Sequence, residues 1–366
     1  MMSNNNKSRS DKAKISKKHK TTFRIFAVIF IIIMIICFTI AYKQGWLKFK
    51  IEIIPTETIS PEQSQPIPSE QPSETASVEP QPSETPIQTP EILPGYTKIN
   101  TLYKLTDYLD YLLSHDKGQY GLIYYNYTTN DTIQIQDQEL YVAASSTKVP
   151  MVMYVFHAAK EGLISLDTEI EYIESDFEYG TGIIYKGQFG DKYTVKTLCE
   201  YSLMYSDNCA INMLIRTCGE WNMVNYMNSL GATVDYLWKR WKTCPYDLSL
   251  YYKELKRLTE EDPEYYGCIL DWLYDTTVGN WLSAKSVLPH DIVVASKIGV
   301  NNELLTLNDT ILVYAKDTYI LSYCSCYMDS VEESSEVLKK ISLAIFEYVQ
   351  NGYSVVEWDG SSDKVQ

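Results

Sequence analysis

Hydrophobic and polar positions follow three regimes along the 366 residues. From Ile25 to Tyr42 the chain is apolar at almost every position, 18 residues without a charge. At about 1.5 Å per residue that run spans roughly 27 Å, the thickness of a bilayer's hydrocarbon core. Residues 51–95 show neither helical nor strand periodicity. Beyond residue 96 both periods appear. Ile99–Leu113 places Leu102, Leu105, Leu109, Leu112 and Leu113 on one face and predicts an amphipathic helix. Tyr120–Tyr127 predicts a strand, paired with Thr132–Gln136 across Thr129, Asn130 and Asp131. Tyr141–Ala144 is strand-like, and Lys148–Glu161 predicts a helix ended by Gly162. Val195–Met204 and Cys209–Arg216 predict further helices. Ile292–Ser296, Thr310–Ala315 and Thr318–Cys326 predict strands, and Val331–Gln350 a closing helix. This order is an α+β pattern, one antiparallel sheet with helices on its faces. No internal repeat of solenoid or propeller type occurs in it.

Charge follows the same regimes. The net charge is −15, but residues 1–50 carry eleven Lys/Arg against one Asp, residues 51–95 eight Glu and no Lys or Arg, and residues 96–366 twenty-one basic against thirty-eight acidic side chains. Eight of the basic residues precede the apolar run and three follow it (Lys43, Lys48, Lys50), which predicts a cytoplasmic amino terminus. A cleaved signal peptide is the rival reading; the run is long for one, and no small-x-small cleavage site follows it. Residues 51–95 hold ten of the fourteen prolines, no aromatic residue, and the near-repeats PSEQ (68–71), PSET (72–75) and PSET (82–85). Such a segment cannot bury apolar surface and reads as a semi-rigid spacer. The expected organisation is a basic cytoplasmic tail (1–24), a single transmembrane helix (25–42), a Pro/Glu/Ser/Thr-rich spacer (43–95) and one extracellular domain (96–366), although length alone suggests about two domains. The acidic body speaks against nucleic acid, whose binding rests on phosphate neutralisation. One apolar run excludes a polytopic channel or transporter.

Cysteine and histidine add little. Seven cysteines lie outside the apolar run, an odd number that cannot all pair internally, and most sit in apolar patterns where they read as small buried hydrophobes. Cys324 and Cys326 share a strand face without a histidine pattern, and the four histidines lack metal spacing, so no metal is expected.

The chemistry gathers elsewhere. Ser145-Ser146-Thr147-Lys148 is an S-x-x-K match opening a helix, so the amine lies on the face of the serine and within reach of its hydroxyl. A serine needs a base to become a nucleophile, and a lysine serves if burial or nearby cations lower its pKa. Ser114–Lys117 and Ser361–Lys364 match the same pattern, but only Ser145 lies between an apolar strand and the apolar helix VPMVMYVF. Ser206-Asp207-Asn208 is the one S-D-N of the chain, between two helical patterns. It reads either as an ordinary helix N-cap or as a proton-relaying serine followed by an asparagine that holds both lysine and substrate. Lys297-Ile298-Gly299 ends the predicted strand DIVVAS; its lysine supplies positive potential, and its glycine lets substrate approach the strand edge. Alone, K-x-G carries no information: Lys43-Gln-Gly45 and Lys160-Glu-Gly162 match it too.

In order, S-x-x-K, S-D-N and K-x-G resemble the class A β-lactamases and, more widely, the penicillin-recognising serine enzymes. The flanks AASSTKVPMVMYVF, YSLMYSDNCAINMLI and VVASKIG agree, and the similarity covers residues 97–350. The resemblance implies a β-lactamase/transpeptidase-like α+β fold with helices on both faces of an antiparallel sheet and an all-helical lobe. It implies Ser145 as acylated nucleophile, Lys148 as base, Ser206 as proton shuttle to the leaving nitrogen, Asn208 as substrate holder and Lys297, with Gly299, at the substrate carboxylate. The backbone N–H groups of Ser145 and Val300 would form the oxyanion hole. Substrates would be β-lactams or D-alanyl cell-wall peptides; no cofactor is implied, and a monomer is expected.

Two departures bear on that expectation. The third motif usually carries Thr or Ser in its middle, whose hydroxyl meets the substrate carboxylate; here Ile298 has none. The family's E-x-x-L-N loop, whose Glu activates the deacylating water, is absent: only WKRWK (238–242) separates GATVDYL from TCPYDL. Glu220 is the nearest upstream glutamate, and nothing in its surroundings singles it out. Acylation without rapid deacylation is therefore expected. A non-turnover sensor of wall fragments or antibiotic is the alternative, and a stalked adhesion domain is the reading left over.

Overall fold

The computed structural model describes residues 93–114, 117–234 and 242–360. The tail, the apolar run and all but the end of the spacer lie outside these residues, as does most of WKRWK. No helix among the described residues is long and apolar enough to cross a membrane.

In chain order the strands are β1 (Tyr96–Ile99), β2 (Gln119–Asn126), β3 (Thr132–Ile135), β4 (Tyr141–Val142), β5 (Glu169–Glu171), β6 (Lys192–Thr194), β7 (Lys242–Thr243), β8 (Val293–Asn301), β9 (Thr306–Tyr314), β10 (Thr318–Cys326) and β11 (Ser354–Glu357). The helices are α1 (Leu102–Ser114), α2 (Lys148–Lys160), α3 (Val195–Met204), α4 (Asn208–Cys218), α5 (Glu220–Ser229), α6 (Pro245–Glu261), α7 (Pro263–Tyr274) and α8 (Val331–Asn351).

Five strands form an antiparallel sheet in the order β3-β2-β10-β9-β8, which leaves β8 at an edge. Alternation along β10 shows why the sheet has two dry faces. Ile320, Cys324 and Cys326 enter a core shared with α2–α7, while Tyr319, Leu321 and Tyr323 enter a second core shared with α1 and α8. Helices therefore lie on both faces, and α2–α5 extend one core into a helical lobe. Helix α2 is buried all round from Lys148 to Phe156, as a helix threading a core must be. The α+β arrangement read from the sequence is present.

Element boundaries depart where polar residues lie inside apolar elements. β8 runs through Lys297 and Gly299 to Asn301 instead of ending at the motif, and β9 begins at Thr306 instead of Thr310. Buried Asn308 and Asp309 sit within β9 because their side chains find partners, Asn308 on the carbonyls of Val142 and Ala143, Asp309 on Ser283, Ser296 and the Ala284 N–H. β4 stops at Val142, two residues early, since the chain turns at Ala144 with φ of 46°. The first helix starts at Leu102, because Tyr96–Ile99 pairs with β11 as a strand. All seven described cysteines are unpaired.

Candidate active site

Ser145 stands on a tight turn between β4 and α2. The left-handed Ala144 starts a single 3-10 turn, Ala144–Thr147, and α2 follows at once from Lys148. Three groups hold this turn. Asn308 Nδ2 donates to the carbonyls of Val142 (2.6 Å) and Ala143 (3.1 Å), and Ser146 Oγ donates to Ala143 O (2.6 Å). The third is the backbone of β8 itself. A Cβ on Gly299 would lie 2.8 Å from Ala143 O, 2.9 Å from Ser146 N and 3.0 Å from Ser145 N, contacts no side chain tolerates. Gly299 thus admits the serine turn to the strand; the sequence reading had assigned it the approach of substrate.

Lys148 follows one turn later, almost wholly buried. Its Nζ donates to Ser206 O (2.5 Å) and Asn208 Oδ1 (2.8 Å) and lies 3.4 Å from Ser206 Oγ. Burial, and next the charge of Lys297, hold its pKa well below the ordinary lysine range, against the opposing pull of Asp207 and Glu178. Ser206, itself left-handed at φ 52°, also receives the second ammonium: Lys297 Nζ donates to Ser206 Oγ at 2.9 Å and to Ile298 O at 3.3 Å. Burial lowers Lys297 to about 7, and Asp309 opposes the shift. One hydroxyl therefore bridges two lysines, both of which the fold brings toward neutrality. Within S-D-N, Asp207 caps α4 by accepting from Ala210 N (2.9 Å), the N-cap of the first sequence reading, while Ser206 and Asn208 meet the lysines.

Other parts of the site lacked any sequence signal. Thr181 Oγ1 donates to Ser206 O (2.7 Å), and Glu178 accepts from Asn208 Nδ2 (2.9 Å) and Asn212 Nδ2 (3.0 Å). Their loop is tied down by Asp207 Oδ2, which accepts from Ile183 N (2.6 Å) and Ile184 N (2.8 Å). Gly182 makes room for that carboxylate: a Cβ there would come within 2.3 Å of Asp207 Cγ. Asn308 could have been suspected only as a polar residue inside an apolar strand.

These residues enclose a cavity of about 500 Å³. Ser145, Lys148, Ser206 and Asn208 line it together with Ile298 and Val300. Two carboxylates also line it: Glu178 and, at the first position of α5, Glu220, which the sequence had not singled out. Val300 pairs with Leu307, whose N–H and C=O engage Ser325 on β10 (3.3 and 2.9 Å). Antiparallel alternation then turns the Val300 N–H outward, to the free edge of β8 beside the Ser145 turn. The structure thus brings Ser145, Lys148, Ser206, Asn208, Lys297, Gly299 and Val300 to one place. No group of three or more metal-ligating side chains occurs among the described residues.

A family model described as "Beta-lactamase enzyme family" matches residues 104–349. Among curated proteins, beta-lactamase VEB-1 of Pseudomonas aeruginosa is 23% identical over 273 residues, covering 68% of this chain and 90% of that protein. A beta-lactamase of Streptomyces cellulosae is 25% identical over 217 residues, 55% of this chain and 69% of its own length. Among solved structures, PBP-A superposes with a TM-score of 0.61 at 19% identity, over 66% of this chain and 94% of that one. A variant of PBP-A in an acyl-enzyme complex with penicillin G matches with the same TM-score of 0.61. An ancestral class A beta-lactamase gives 0.58 at 21% identity, over 65% of this chain and 97% of its own. At such identities the structural likeness establishes the β-lactamase-type fold.

Proposed function

This chain belongs to the beta-lactamase enzyme family, and from that premise we propose that it is a membrane-anchored extracellular serine enzyme that forms an acyl-enzyme on Ser145. Its donors are β-lactams or D-alanyl amides of cell-wall type. The observation that carries this reading is the relay Lys148–Ser206–Lys297 closing on the cavity that Ser145 lines.

In the reaction, Ser145 Oγ attacks the donor carbonyl and Lys148, whose burial disfavours its ammonium, takes its proton. The oxyanion forms between the N–H groups of Ser145 and Val300, both fixed before substrate arrives. Collapse breaks the carbonyl–nitrogen bond, and the proton passes from Lys148 through Ser206 Oγ to the leaving nitrogen. Asn208 is set by its own bonds: its carbonyl faces Lys148 and its amide faces Glu178, leaving one N–H to offer the donor's acyl chain. With no E-x-x-L-N segment in the chain, hydrolysis of the ester is slow and the acyl-enzyme accumulates.

The test is intact-mass analysis of the full chain, in detergent, after exposure to penicillin G or to a D-alanyl thioester. An adduct present in the parent chain and absent from Ser145→Ala is the expected result; no adduct with any acyl donor overturns the proposal. Fast turnover of a chromogenic cephalosporin overturns its second half and transfers the search for a deacylating base to Glu178 and Glu220. One other reading has an observation in its favour. Ile298 and the missing loop suit a sensor that binds without acylation, in which case Ser145→Ala would leave ligand affinity unchanged.

A further inference from the structure

Lys148 must hold a lone pair before it can take the proton of Ser145, and its hydrogen-bond partners decide whether that lone pair is open. An ammonium offers three N–H groups; an amine offers two and one lone pair. The closest partners of Nζ, Ser206 O (2.5 Å) and Asn208 Oδ1 (2.8 Å), are both acceptors. They engage the two N–H groups of the amine and leave its lone pair for the serine. Asn208 is the weak member of the pair, because its amide can turn over. A charged Lys148 selects the amide oxygen, but the lone pair of an amine also accepts a turned N–H. Asn208 turned in that way would cap the base that Ser145 needs.

Glu178 stands where it opposes that turn. Its Oε1 accepts from Asn208 Nδ2 at 2.9 Å and its Oε2 from Asn212 Nδ2 at 3.0 Å. A carboxylate offers acceptors only, so both amide nitrogens face it and the oxygen of Asn208 is left to face Lys148. The loop that carries Glu178 is itself held against Asn208. Glu178 N donates to Cys209 Sγ (3.4 Å), Asn208 N donates to Thr181 O (3.2 Å), and a Cβ on Gly180 would lie 3.2 Å from Asn208 Nδ2. Thr181 Oγ1 lies 3.4 Å from Asn208 Oδ1, but its shorter bond, 2.7 Å, is to Ser206 O.

We infer that Glu178 is a positioning residue, which fixes the side-chain amide of Asn208 so that the lone pair of Lys148 stays open to the proton of Ser145. This rests on the acyl-enzyme reading above. The proton still passes from Ser145 Oγ to Lys148 Nζ, and no bond forms to Glu178. Burial lowers the Lys148 pKa and the charge of Glu178 opposes that shift, so the useful part of Glu178 is its acceptor oxygen and not its charge.

Acylation of the full chain in detergent by an N-acyl-D-alanyl thioester, timed by intact mass, tests it. Glu178→Leu should slow Ser145 labelling at least about tenfold. Glu178→Gln, whose carbonyl still accepts from Asn208, should recover most of that loss. In an Asn208→Ala background Glu178→Leu should slow labelling no further, since the residue through which it acts is gone; a loosened loop would slow both backgrounds alike. An unchanged rate in Glu178→Leu, a Gln variant as slow as the Leu variant, or an equal loss in the Asn208→Ala background overturns the inference and leaves the acyl-enzyme reading standing. A parent chain that no thioester labels overturns that reading, and this inference with it.

Discussion

Lys297 shows what a single residue costs this fold. Its ammonium is held at about 7 in the folded chain, against an ordinary value of 10.5. Below pH 7 it is charged in both states, and the folded chain bears the full penalty of burying it. Between 7 and 10.5 the unfolded chain binds more protons, so this contribution makes stability rise with pH. Lys297→Met is therefore expected to stabilise the chain at pH 6, by on the order of a few kcal/mol, with the gain fading toward pH 10. Urea titrations at the two pH values check this, and a gain that grows with pH contradicts it. Ser206 makes the complementary case for catalysis. Its Oγ is the shared partner of Lys148 and Lys297, so Ser206→Ala should lower acylation about 10²–10⁴-fold while the Ser145 turn, held by other residues, stays in place. The timing of a thioester adduct measures it; a loss below fivefold would remove Ser206 from the proton path.

At the scale of elements, the site is a junction between the edge strand β8, the β4–α2 turn and the start of α4, and its precision depends on close backbone approach. Gly299→Ala puts a methyl group within 3.0 Å of three backbone atoms of that turn, which cannot shift as a flexible side chain would. Acylation should fall about a hundredfold or more, since misplacement by an ångström costs that much. The melting temperature should fall too, by the equivalent of about 1–3 kcal/mol for overpacking. Unchanged acylation would mean the strand and turn are looser than their spacing implies. Asn308→Ala should cost a further ~2 kcal/mol by removing the donor to the buried Val142 carbonyl, while Ala143 O keeps Ser146 Oγ. These elements also show how far the sequence could be read. Val195–Met204 and Thr318–Cys326 have the limits their periodicity predicts, because no buried charge or amide falls inside them; Ser202 and Ser325 are small enough to be satisfied by nearby backbone carbonyls. β8 and β9 were cut short at Lys297 and Asn308, whose burial is compensated by partners distant in sequence. The seven residues brought together at the cavity were legible because their motifs are local and ordered. Glu178, Thr181 and Asn308 were not, since their bonds reach across 30, 25 and 166 positions and leave no local trace.

For the whole molecule, charge is the property that sequence and proposed function share. The tail, and to a lesser extent the few residues just after the apolar run, concentrate the positive charge, and everything after residue 50 is strongly acidic. A cytoplasmic leaflet attracts the first and repels the second, so the distribution favours one topology over its inverse. The spacer reinforces this: with eight Glu and ten Pro among residues 51–95 it offers no apolar face that would fold back on lipid. A protein so arranged should expose its spacer outside the cell, where a protease can reach it. Intact cells labelled on Ser145 with a thioester and then treated with an external protease should release a labelled fragment of about the size of residues 93–360. The unlabelled remainder should stay with the membrane and carry the amino terminus. A label that resists the protease until the cells are lysed would place the domain inside and reverse the topology. A label released without protease would instead show that residues 25–42 act as a cleaved leader.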